Sequence, residues 1–360
     1  MQREIGSDFW IDPEQLKLES KDIFLGNYNI DGKDKVFLTS GRQAEHMVLD
    51  TIEERNSCIR KVALIPPYTC FSVIEPFLSK GYQIYTYDIN EKLDTTAKML
   101  NESILKFNPQ VVLFHRYFGF DTFAACNNVI KTARENGIIF VEDKTHSLYS
   151  GHEGVAVDYI IGSFRKWHGI PDGGFAVCTD GVFNNKPKEN DYKIEQLKLE
   201  ASQLKYKYMV CYEGEKSIFR EMYQQAEECL EQQNNYREMS PSSKRIQANL
   251  DINGLKKKRR ENYNFLYDQI KNTEGIKILM PRCSEDNTPL YFAMLVENRA
   301  ELQDKLRQKD IYAPIIWPQE FLQVCICKEA QKIYKNVLCL PVDQRYGLDD
   351  MQRICECIRR

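Results

Sequence analysis

"SFRKWHGIPDGGFAV", Ser163–Val177, holds a lysine between an arginine and a tryptophan, with an aspartate and two glycines close behind. The apolar run "DYIIGSF" (158–164) leads into it and "GFAVCT" (174–179) leads out, both with the β-branched and aromatic content of strands. Lys166 therefore falls at the exit of one strand, and "PDGG" allows a tight return into the next. A lysine there can form an imine with an aldehyde, provided its ammonium gives up a proton easily. Most lone lysines are simply surface residues, so the rest of the chain has to decide.

Working outward, further strand candidates are "KVALIPP" (61–67), "QIYTYDI" (83–89), "VVLFHRY" (111–117) and "IIFVED" (138–143). Helical stretches separate them. One covers 70–80 and is closed by Gly81; another covers 124–136 and is closed by Gly137. A third is predicted over 93–107, where Leu93, Ala97, Leu100, Ile104 and Leu105 keep helical spacing. Strand–helix alternation predicts an α/β domain with a mostly parallel sheet, whose ligands gather at the carboxyl ends of the strands. From about 192 to 235 the chain turns helical and polar. After a join near 236–250 come the helix-like "NGLKKKRRENYNFLYDQIKN", the strand candidates "IKILMP" and "PLYFAMLV", the helical "RAELQDKLRQKD", then "IYAPIIWP" and the final helix "LDDMQRICECIRR". This predicts a large domain over 1–240 and a smaller C-terminal α+β domain over 241–360.

Bulk composition excludes several classes. The 360 residues are 42% hydrophobic and 28% charged, ordinary for a globular protein with a large core. A net charge of −3 argues against a dedicated nucleic-acid binder. The one basic cluster, Lys256–Arg260, opens a helix-like stretch and reads as a solvated face. Of twelve cysteines, Cys70, Cys178, Cys211, Cys229 and Cys339 lie inside apolar or helical patterns and read as buried reduced thiols. The pairs Cys325/Cys327 and Cys355/Cys357 have no C-x-x-C partner or nearby histidine, so no metal site is expected. No run approaches the length of a membrane span, and a reducing cytoplasm is the expected location.

Besides Lys166, three places carry chemistry. In "LTSGRQAEHMVLDTI" (38–52), Thr39, Ser40 and Gly41 stand at the amino end of an amphipathic helix, with Arg42 beside them. Helix-end amides and hydroxyls suit a phosphate, although Ser or Thr there is also an ordinary N-cap. In "FVEDKTHS", Asp143 ends an apolar strand run and His146 follows three residues later. An acidic group there can keep a ring nitrogen protonated, or can cap the next turn. In "IPPYTCFSVIEPFLSKG", Tyr68 and Phe71 flank a strand-to-helix turn and could stack on a flat ring or simply fill the core. No G-x-G-x-x-G follows a strand candidate, which removes a dinucleotide-binding reading.

The order of these places, phosphate loop, aromatic turn, Asp at a strand end and Lys at the next, resembles that of fold-type I pyridoxal-phosphate enzymes. More narrowly, the chain resembles the DegT/DnrJ/EryC1/StrS family of sugar aminotransferases, through "SGRQA", "PPYTCFSVIEPF", "EDKTHSL", "GSFRKWHGIPDGG", "NNYREMS", "RRENYNFL", "IYAPIIWP" and "LPVDQRYGLDDM". The resemblance implies pyridoxal 5′-phosphate as cofactor and Lys166 as its Schiff-base residue. Asp143 would pair with the pyridine nitrogen, and His146 would lie near the phenolic oxygen. Ser40, Gly41, Arg42 and Ser163 would hold the phosphate. It also implies a homodimer in which the partner chain completes the phosphate site, Asn235 being the residue carried over. Two departures stand out. Cys70 follows Thr69 where many relatives have an aromatic, which leaves stacking to Tyr68 or Phe71. Ser163 is three residues before the lysine where many relatives place that serine five before.

The implied reaction moves an amino group from an amino acid, by family habit glutamate, to a keto group of a nucleotide-linked sugar, as in surface polysaccharide or aminosugar biosynthesis. Tyr291, Trp317 and Arg345 are candidate substrate residues. Alternatives are a PLP-dependent sugar dehydratase, in which relatives carry histidine in place of the lysine, other PLP chemistry, or a regulatory or scaffolding protein on the same fold.

Overall fold

In this computed structural model, residues 4–28, 30–56, 60–152, 154–233, 235–318 and 324–359 are described. They fall into two compact units, Met1–Ser7 with Cys58–Asp158 and Ile252–Arg360, and Asp8–Ser57 with Tyr159–Asp251.

The first unit contains a four-strand parallel ladder in the order β4-β3-β5-β6, built from β3 (Val62–Ile65), β4 (Gln83–Thr86), β5 (Val111–His115) and β6 (Ile139–Asp143). Parallel neighbours need crossover connections. These are supplied by α2 (Phe71–Ser79), α3 (Ala97–Phe107) and α4 (Asn127–Glu135). β5 is buried along its whole length, as its unbroken apolar run requires. The chain leaves β3 toward one side for β4 and then crosses back to β5, so strand order reverses around β3. Ligand crevices form at the carboxyl ends of strands around such a reversal. Tyr68, His115, Asp143 and His146 all follow or close these strands. The register pairs His115 with Asp143, which puts their side chains on the same face.

The unit also holds an antiparallel sheet, β12-β10-β9, from β9 (Ile276–Ile278), β10 (Phe292–Val296) and β12 (Val337–Leu340). The helices α8 (Ile252–Ile270), α9 (Arg299–Arg307), α10 (Lys328–Asn336) and α11 (Leu348–Arg359) accompany it. A short parallel pair joins β1 (Ile5–Gly6) to β11 (Ile311–Tyr312).

The second unit is organised on the antiparallel ladder β2-β8-β7, from β2 (Asp34–Leu38), β7 (Tyr159–Ser163) and β8 (Gly174–Cys178). The amphipathic helix α1 (Gly41–Arg55) packs on β7 and β8. Two longer helices, α5 (Lys193–Tyr206) and α6 (Lys216–Glu231), lie against each other around Ala201, Phe219 and Tyr223. The short α7 (Pro241–Ala248) follows, with Ser240 as its N-cap.

The α/β class and the parallel sheet agree with the sequence reading. Several local expectations need correction. The helix predicted from residue 93 begins at Ala97, because Thr96 caps it and Leu93 sits buried in a turn at φ +66°, outside helical space. The basic cluster is not wholly a solvated face. Arg259 is buried and donates to the carbonyls of Pro289 and Leu290, at 3.2 and 3.0 Å, because it falls on the core stripe of α8. Burial lowers its guanidinium to about 10. Among the cysteines read as buried, Cys178 and Cys339 are buried, Cys70 and Cys229 are half-buried, and Cys211 is exposed where the chain turns between α5 and α6.

Candidate active site

In the second unit, the turn after β7 explains how Lys166 is presented. Every residue from Tyr159 to His168 is buried except Arg165, which is half-buried, and Lys166, which is exposed. Phe164 packs among Tyr28, Phe37 and Phe175. Trp167 is fully buried, and its N–H donates to the Phe164 carbonyl at 3.1 Å. His168 is tied down through Nε2 to the Gln247 side chain at 2.8 Å. Large apolar anchors on both sides of the lysine therefore leave its side chain as the one directed to solvent. Arg165 is held by the Glu227 carboxylate of α6.

The predicted phosphate residues converge in the same unit. Ser40 is the N-cap of α1, its Oγ accepting from Gln43 N at 3.3 Å. A side chain at Gly174 would lie 2.3 Å from the Ser40 carbonyl carbon and 2.6 Å from Gly41 N. One at Gly41 would lie 3.4 Å from the Ser163 Cβ. Glycine at both positions thus lets the helix end press against the ends of β7 and β8, and brings Ser40, Gly41 and Ser163 together. The Ser163 hydroxyl donates to the Gly173 carbonyl at 3.3 Å. Arg42 is half-buried in the first turn.

Gln43, which sequence reasoning passed over, ties Asn235 to this end. Its Nε2 donates to the Asn235 carbonyl at 3.0 Å and to Gln233 Oε1 at 2.7 Å, and its Oε1 accepts from Arg237 N at 3.0 Å. The Asn235 side chain is exposed and accepts from Lys188 Nζ at 3.3 Å. Asn234, also part of the quoted motif, lies outside the described residues.

In the first unit, Asp143 is buried at the end of β6, and its Oδ1 accepts from Thr145 N at 2.8 Å. His146 is buried beneath Trp317, the two rings stacked 4.7 Å apart at 17°. Trp317 adopts φ +56°, a left-handed conformation that a bulky residue rarely takes. Tyr68 is fully buried, donates its hydroxyl to the Ile316 carbonyl at 2.8 Å, and has its ring 4.9 Å from Trp317. Phe71 opens α2 and is exposed.

His115 belongs to the cluster and was missed. Its ring lies 6.0 Å from His146 and 5.5 Å from Trp317, and burial pushes it down to about 3, so the imidazole is neutral. The signal was the register, since a parallel neighbour of the strand ending in Asp143 also ends in a polar residue.

Of the three candidate substrate residues, Trp317 joins the cluster. Arg345 is occupied by Asp343, with Nε to Oδ1 at 2.7 Å and Nη2 to Oδ2 at 3.0 Å, and by the Ser7 carbonyl at 3.2 Å. Tyr291 is half-buried just before β10. Within the second unit, a helix amino end flanked by serines and an exposed lysine in a buried frame suit a phosphate and an aldehyde; within the first, a buried carboxylate suits a protonated ring nitrogen.

Residues 224–359 match the DegT/DnrJ/EryC1/StrS aminotransferase family. That match spans about two fifths of the chain. The dTDP-4-amino-4,6-dideoxy-D-glucose transaminase of Shigella dysenteriae is 33% identical over 109 residues, which is 26% of this chain and 30% of that protein's length. Similarity of fold extends much further. PseC of Helicobacter pylori, an aminotransferase involved in the biosynthesis of pseudoaminic acid, superposes with a TM-score of 0.68 at 15% identity over 99% of this chain and 98% of its own. Spr1654 of Streptococcus pneumoniae, solved in a PLP-form, gives a TM-score of 0.67 at 15% identity over 98% of this chain and 92% of its own. At such identities these two show the fold and no more.

Proposed function

We propose that the protein is a pyridoxal-phosphate-dependent aminotransferase that moves an amino group from an amino acid, glutamate by family habit, to a keto group of a nucleotide-linked sugar. The observation that carries the reading is the presentation of Lys166, exposed at a strand end whose other side chains are anchored. Bound pyridoxal phosphate would supply an aldehyde for the Lys166 amine and a ring that draws off charge. The amides of Gly41 and Arg42 and the hydroxyls of Ser40 and Ser163 would bind the phosphate. Asp143 would keep the pyridine nitrogen protonated, an opposite charge favouring the charged form. Lys166 Nζ would move the proton between the donor's α-carbon and the cofactor's aldehyde-derived carbon, and in the reverse sense to the acceptor carbon in the second half-reaction.

The Shigella relative's dTDP-linked amino sugar supports the acceptor class, and the PLP-form of Spr1654 supports the cofactor. A homodimer in which Asn235 reaches the partner's phosphate site, a cytoplasmic location and a domain division at 240/241 belong to the same proposal. Among the described residues, no helix is long and apolar enough to cross a membrane.

The test is the absorbance spectrum of the purified protein before and after glutamate, for wild type and Lys166→Ala. A visible band that requires Lys166 and shifts with glutamate is expected. A band indifferent to glutamate would overturn the donor, and no band after added pyridoxal phosphate would overturn the enzyme reading.

A further inference from the structure

The turn that carries Lys166 has one side chain held by charge rather than by packing. Phe164 and Trp167 sit in the core, but Arg165 leaves the turn toward α6, where its Nη2 meets Glu227 Oε1. The same carboxylate oxygen receives the Lys198 ammonium from α5. Glu227 thus joins three segments through one group. Its side chain is 45% exposed, whereas those of Arg165 and Lys198 are 18% and 11% exposed. Burial raises the carboxyl's value, but the two cations outweigh it and hold Glu227 well below the usual carboxylate range. Lys198 is lowered, chiefly by burial and then by the Arg165 charge, with Glu227 opposing both. Without Glu227, two partly desolvated cations would repel each other, and the one able to move is Arg165, at the start of a short turn.

We propose that Glu227 is a positioning residue for Lys166, acting through Arg165 to hold the turn after β7 in the orientation that presents the lysine amine. This rests on the reading of Lys166 given above. The step it serves is condensation: Lys166 Nζ, having lost a proton to solvent, bonds to the aldehyde carbon of pyridoxal phosphate, and the carbonyl oxygen leaves as water with the two nitrogen protons. Small displacements of a reacting atom are costly, with about 1 Å worth up to roughly a hundredfold in rate. The turn is short, so rotation of Arg165 is transmitted directly to its neighbour.

The test mixes cofactor-free apoprotein with pyridoxal phosphate and follows the growth of the lysine-dependent visible band and its circular dichroism, for wild type, Glu227→Gln, Arg165→Met, the double variant and Lys198→Met. Glu227→Gln and Arg165→Met are expected to slow band formation about tenfold and to alter the dichroic band. The double variant should be no slower than either single one. Lys198→Met removes an ion pair of equal standing from the same carboxylate but leaves Arg165 held, so its rate should stay within about twofold of wild type. A purely structural triad would move Lys198→Met along with the others, and that result would overturn the proposal. So would a Glu227→Gln rate within about twofold of wild type. Should Glu227→Gln not fold, Arg165→Met decides, because Lys198 still neutralises Glu227 in that variant. A band that forms equally in Lys166→Ala is a different failure, that of the lysine reading itself.

Discussion

The ends of β6 and β7 present chemistry in opposite ways. At β7 the chain buries everything around one lysine and leaves that lysine exposed. At β6 it buries the candidate groups themselves: Asp143, Lys144 and His146 are all buried, and so are Arg116 and His115 at the end of the neighbouring strand. The difference follows from what each group needs. A nucleophilic amine must be reachable and mobile. Groups that set a protonation state work best where water does not screen them. Burial at the β6 end has its own cost, and the sequence meets it with an ion pair: Arg116, 1% exposed, reaches Glu142 through Nη1 and Asp121 through Nε at 2.7 Å. Glu142 and Asp143 are adjacent in a strand, so they face opposite sides of the sheet. Arg116 thereby engages the Glu142 carboxylate on one side of the sheet, and Asp143 lies on the other.

This contrast can be broken by experiment, most severely at the exposed end. Lys166→Ala should lower turnover by about 10²- to 10⁴-fold while leaving the thermal midpoint nearly unchanged, since its side chain packs on little. A large fall in stability would mean that the lysine is structural. At the buried end the effects should reverse. Glu142→Ala leaves the buried Arg116 guanidinium with Asp121 as its remaining ion-pair partner among the described residues and should cost about 3 kcal/mol in chemical denaturation; a loss under about 1 kcal/mol would show the β6 end to be far wetter than its burial suggests.

Acid sharpens the comparison next. Burial holds His115 down to about 3 and His152 down to about 4. Both folded values lie below the unfolded value of about 6.5. Between these limits the unfolded chain binds protons that the folded one does not. The contribution to stability is therefore complete above about pH 6.5 and falls with decreasing pH, by roughly 1.4 kcal/mol per unit for each histidine. Urea titrations from pH 7 to 4 should show that fall, and His152→Asn should reduce its slope. An identical slope in the variant would place the acid sensitivity elsewhere.

The smallest effect belongs to Gln43, a neutral hub with no charge to strand. Gln43→Ala should cost about 1–3 kcal/mol, through the unpaired groups it leaves around Asn235 and Arg237. If pyridoxal phosphate affinity falls while stability holds, Gln43 would instead serve the phosphate end directly.

Much of this was legible before the structure. Unbroken apolar runs marked β5, β6 and β7, and glycine or Asn-Gly stops bounded the helices between them. Ser40, Asp143 and Lys166 stood out as candidates because a chemically suitable residue lay where such a run began or ended. Leu93 misled because its apolar spacing continued the helical pattern upstream of the Thr96 cap. Arg259 misled because a run of five basic residues hides which one faces the core. The strand β2 escaped notice because Asp34 and Lys35 break its apolar alternation.

By itself the sequence determined the α/β order and the residue types at the strand ends, because these depend on periodicity and on signals a few residues apart. Only the tertiary structure decided which side chains cooperate. Glu227 meets Arg165 across 62 positions, and Gln43 holds Asn235 across 192. His115 becomes a neutral neighbour of Asp143 through strand register alone. Pairings of that kind depend on how chain segments pack, and no local pattern encodes them.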